Sequence, residues 1–180
     1  LSDFFRANNM NYEAVTIEKN SEARAAYLSG RCDVYTTDAS GLAATRSTFP
    51  NPGNHMILPE IISKEPLGPA TRQGDDQWAD IVRWVYNATV TAEELGVTSS
   101  NVDSMKSANN PEILRLLGVE GSQGQELGLK KDWAYQIIKQ VGNYGEIFER
   151  NIGTNTPIGL ARGLNDLWTR GGLQYSPPFR

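Results

Sequence analysis

The run Pro66-Leu67-Gly68-Pro69-Ala70-Thr71-Arg72 constrains the fold of this 180-residue chain more than any other stretch. Each proline lacks the N–H that a central strand donates and holds φ near one value, so the run is an extended connector or a constrained strand. The sequence on either side has a different period. Before it, short stretches of two-residue alternation lie between helical stretches, the pattern of an α/β sheet; after it, apolar residues recur mostly at helical spacing. The chain therefore divides at about residues 63 to 73 into an α/β part and a mainly helical part, with the connector as a candidate hinge.

In the first part, Ser2 to Asn8 reads as a helix gripped by Phe4 and Phe5, and strands are expected at 13–17, 33–37 and 55–62. A helix capped by Asn20 or Ser21 runs through Leu28 until Gly30 stops it. Another covers 40–47, and Pro50 to Gly53 is a turn. In the second part, Asp75 or Asp76 caps a long helix that carries Trp78, Ile81, Val82, Val85 and Tyr86 on to about Leu95. Shorter helices are expected at 102–107, 111–117, 132–141, 146–150 and 164–168. The four tryptophans, Trp78, Trp84, Trp133 and Trp168, fall in helical patterns and are expected in the core. Gly118, Gly121 and Gly124 lack a preceding strand and a following Lys-Ser or Lys-Thr pair, so they are a loop and no phosphate cradle.

Composition narrows the function. Hydrophobic content of 39% is enough for a packed core, and 17 scattered basic residues against 21 acidic ones disfavour a nucleic-acid binder. No apolar run approaches the roughly 18–20 residues that span a bilayer. Cys32 is the single cysteine and His55 the single histidine, which leaves no basis for a metal cluster or a Ser-His-Asp triad. Cys32 is expected as a buried free thiol and His55 as an exposed turn residue. The carboxylate pairs Asp75-Asp76, Glu93-Glu94 and Glu146-Glu149 are expected to be solvated or to cap helices. No cofactor is expected.

Asp38 stands at the carboxyl end of the expected 33–37 strand, the place where open α/β sheets bind ligands. An acidic side chain beside hydroxyls there suits a small cation such as an ammonium group. The same residue also suits the N-cap of the helix that begins near Ser40, and the residues alone leave both readings open.

The stretches Gly30-Arg31-Cys32-Asp33-Val34-Tyr35-Thr36-Thr37-Asp38 and Leu58-Pro59-Glu60-Ile61-Ile62-Ser63-Lys64-Glu65-Pro66-Leu67-Gly68-Pro69 closely resemble the periplasmic general L-amino-acid-binding proteins of ABC transporters, the AapJ and BztA type. The likeness continues through Ala92-Glu93-Glu94-Leu95-Gly96-Val97-Thr98-Ser99, Lys139 to Asn151 and Gly171 to Pro178. The resemblance implies a periplasmic-binding-protein-like α/β fold of two lobes. Residues 1–63 would be most of lobe two, 64–73 the return crossing, and 74–180 the C-terminal part of lobe one with a helical tail, the N-terminal portion of the family's sequence being absent. It also implies a function: capture of polar L-amino acids in a cleft and delivery to the ABC permease, in the periplasm, peripheral to the membrane and without nucleic acid or covalent chemistry. Asp38 would take the ligand's ammonium, with Thr37, Thr36 and Ser40 beside it. No arginine here matches the family's carboxylate clamp, so this stretch alone is expected to bind amino acids weakly or not at all. A cysteine elsewhere in such a protein could pair with Cys32. An enzyme on a related two-lobed scaffold is the alternative, and a plausible base and nucleophile are missing for it.

Overall fold

The computed structural model describes residues 1–64 and 66–179. Glu65, inside the expected 64–73 crossing, and Arg180, the end of the expected 74–180 part, lie outside the described residues. By compactness the chain falls into two units, Leu1–Leu67 and Gly68–Arg180.

The first unit carries helices α1 (Ser2–Ala7), α2 (Asn20–Leu28) and α3 (Ala39–Ser47), followed by one 3-10 turn at Pro52–Asn54. Asp3 in the first turn of α1 and Arg6 in its last match the helix dipole and pair at 2.7 Å. Gly30, at φ +74°, lets the chain leave α2 in the left-handed region. The strands expected at 13–17, 33–37 and 55–62 are not formed, and the described residues of this unit contain no β ladder. Alternation sets which face each side chain would present, but a strand exists only when a neighbour takes its N–H and C=O groups.

Aromatic contacts hold this unit together. Tyr27 stacks on Phe49 at 5.7 Å, Phe49 meets the His55 ring at 4.9 Å, and the Tyr27 hydroxyl lies 2.9 Å from His55 Nδ1. His55 is therefore half-buried in an aromatic cluster, not an exposed turn residue, because the turn before it folds the ring back onto α2. Cys32 is a free thiol, half-buried where full burial was expected. Only Ala26 and Ala43 are buried among the described residues of this unit.

The second unit is built around α4 (Asp76–Glu94), which begins where the Asp75 side chain accepts from the Trp78 N–H at 3.1 Å. It is followed by α5 (Val102–Met105), α6 (Pro111–Leu116), α7 (Gln123–Glu126), α8 (Trp133–Val141) and α9 (Tyr144–Asn151). Helix α4 packs on α6, α8 and α9, and α5 packs on α8. Six consecutive residues of α4, Asn87 to Ala92, are buried, so its C-terminal half is covered on all sides rather than on one stripe. Its polar members are satisfied, as Thr91 Oγ1 donates to Ser176 Oγ at 2.8 Å and Thr89 Oγ1 donates to the Tyr86 carbonyl at 2.8 Å. The core joins Ala88, Val97, Leu116, Leu117, Ile138 and Phe179.

Several expectations change here. The helix expected at 164–168 is instead two 3-10 turns, Gly163–Asn165 and Trp168–Arg170, separated by Asp166 and Leu167, with Leu167 in an isolated bridge to Gln174. The glycine loop hides α7. Gly124 sits within that helix because a Cβ there would stand 2.4 Å from the Lys130 carbonyl oxygen. Of the tryptophans, Trp133 is buried and Trp84 packs against the core, whereas Trp78 and Trp168 are 53% and 56% exposed. Spacing places a side chain on a helix but does not say whether another element covers it.

Candidate functional site

Asp38 is the N-cap of α3. Its backbone is extended at φ −59° and ψ 153°, and its Oδ1 accepts from the Gly41 N–H at 2.7 Å and from Ser40 Oγ at 2.6 Å. The Ser40 hydroxyl and then the Gly41 amide hold the carboxyl below the usual aspartate range, against a smaller opposing effect of burial. The group is thus ionised at neutral pH. Both firm bonds go to one oxygen, and Oδ2 has only a long 3.5 Å contact from Thr37 Oγ1. A carboxylate has about four acceptor sites, so capping the helix leaves room on Oδ2 for a cationic donor.

The structure brings Thr37, Asp38 and Ser40 together, while Thr36 is exposed and takes no part in their bonds. Sequence reasoning passed over Gly41. An ideal Cβ there would lie 2.7 Å from Asp38 Oδ2, so a larger residue would require the Asp38 carboxylate to shift from its present position over the first turn. Its position three residues after an Asp N-cap was the available signal.

The other carboxylates divide by environment. Asp75 caps α4, and Glu146 forms a capping box with Asn143 while also accepting from Ser99 N and Oγ. Burial pushes the Glu146 carboxyl up, yet the bonds from Ser99 and Asn143 outweigh it and the net direction is down. Glu93 departs from the solvated role expected of it. Its side chain is only 9% exposed and takes a bidentate fork from Arg162 at 3.1 and 3.0 Å, with Arg170 on the same carboxylate. Arg170 also binds Asp166 at 2.7 Å, and the Arg162 guanidinium lies 5.1 and 5.3 Å from the Tyr144 and Phe148 ring centres. Two negative and two positive groups balance, and the segment around residues 162–170 is tied to the end of α4. Among the described residues, no group of three or more His, Cys, Asp or Glu side chains is placed to hold a metal ion. Among them, too, no helix is long and apolar enough to cross a membrane.

No protein-family model matches the chain. It is 60% identical over its whole length to the general L-amino acid-binding periplasmic protein AapJ of Rhizobium johnstonii, covering 53% of that protein. It is 58% identical, again over its whole length, to the glutamate/glutamine/aspartate/asparagine-binding protein BztA of Rhodobacter capsulatus, covering 54% of it. A putative amino-acid ABC transporter-binding protein of Escherichia coli, YhdW, is 52% identical, with 53% covered. In structure, 99% of the chain superposes with a TM-score of 0.94 and 59% identity on a periplasmic binding protein of an ABC transporter from Brucella ovis with glutathione bound, covering 56% of that chain. From end to end the chain matches amino-acid-binding proteins of ABC transporters, and it spans about half the length of the curated relatives it matches.

Proposed function

We propose that this chain forms part of a periplasmic solute-binding protein that captures polar L-amino acids and delivers them to an ABC permease. The observation that carries the reading is 60% identity along all of the chain to a general L-amino-acid-binding periplasmic protein. Residues 1–63 are read as most of an α/β lobe, 64–73 as the return crossing, and 74–180 as the C-terminal part of the other lobe with its tail. Within the first of these, Asp38 is the acceptor for the ligand's ammonium. Its ionised state and the open Oδ2 support that role, because an ammonium-to-carboxylate bond is charge-assisted and strengthens as water leaves. Thr37 and Ser40 orient the carboxylate, and Thr36 offers a further hydroxyl. The relatives' names are those of binding proteins, which favours capture over turnover.

A chimera tests the reading: this sequence replaces the matching half of the Rhizobium johnstonii relative, and the product is titrated with L-amino acids. Glutamate, glutamine, aspartate and asparagine should raise its melting temperature and be recovered unchanged. Asp38→Asn should abolish the shift while the unliganded melting temperature stays close to that of the parent. Chemical conversion of the amino acid, or a shift that survives Asp38→Asn, would overturn the proposal.

A further inference from the structure

We draw no further inference here: the strongest candidate, the groove in the second unit that Glu94, Glu112, Trp168 and Tyr175 line between the end of α4 and the start of α6, carries no proposal because nothing in the structure shows what covers it.

Discussion

Replacing Glu93 by Gln should destabilise the second unit by about 3 kcal/mol, at the lower end of the cost of breaking a buried ion pair. Glu93 is 9% exposed and Arg162 12%, so removing the acid leaves the Arg162 guanidinium poorly hydrated and without its bidentate partner. The cost stays at the lower end because Arg162 keeps the Asn165 carbonyl at 3.2 and 3.1 Å and has Asp166 at 3.6 Å. Arg170 is 49% exposed and retains Asp166, so it adds little. For a unit of this size the loss corresponds to roughly 10–20 °C in melting temperature. Urea unfolding followed by tryptophan fluorescence measures it, with Glu93→Met, Arg162→Met and the double change completing a cycle. The double change should cost less than either single one, since two apolar side chains beside Tyr144 and Phe148 need no counter-charge. Raising the salt to about 1 M should alter the wild-type value little, because screening acts mainly on exposed charges. A Glu93→Gln cost under about 1 kcal/mol, or a double change equal to the sum of the singles, would refute this account.

Asp38→Ala should remove the α3 cap at about 1 kcal/mol, read by urea melts of helical circular dichroism. Because the folded carboxyl lies below its ordinary range, its stabilisation is present above that range and is lost as pH falls through the folded value. The wild-type advantage should therefore close on acidification, and an advantage that grows at low pH contradicts the cap geometry. Two left-handed glycines provide a graded pair. Gly96 (φ +67°) has open space where a Cβ would go, so Gly96→Ala should cost about 1–2 kcal/mol for the backbone conformation alone. Gly118 (φ +70°) would place a Cβ 2.0 Å from the Lys131 carbonyl oxygen, so Gly118→Ala should cost clearly more in the same urea melts, and equal costs would refute the close approach.

The helices were legible because their signals are local. Asp75 lies one residue before α4 and Asn110-Pro111 opens α6, with the Asn110 side chain accepting from the Glu112 N–H at 2.9 Å. Gly30 and Gly96 end α2 and α4 through a positive φ that other residues resist. At the candidate site Asp38 was singled out at the carboxyl end of an expected 33–37 strand that is not formed, and what its geometry shows is the competing reading, the N-cap of α3, with one oxygen engaged by the cap and the other left with a single long contact. What escaped was tertiary. Whether Glu93 is solvated or buried depends on Arg162 and Arg170, some seventy residues away, and no spacing rule joins them. His55 likewise becomes half-buried only because Tyr27 and Phe49 converge on it.

The strands fail for the same reason, taken further. In Gly68–Arg180 α4 packs on α6, α8 and α9 and its C-terminal half is covered on every side, so local propensity and burial agree there. In Leu1–Leu67 the alternating stretches keep Val34, Met56, Leu58 and Ile61 in water, and the buried apolar side chains among the described residues are two alanines. Burial stabilises by about 25 cal/mol per Å², and two alanine methyls supply very little of it. The Asp38 cap of α3 and an aromatic cluster add to it, each contribution of the order of 1 kcal/mol. A period of two is a statement about faces, and it acquires stabilising value only where a second strand and a covering layer make the faces different. The helical unit contains its own answer to its pattern, whereas the described residues of the first unit present the pattern unanswered.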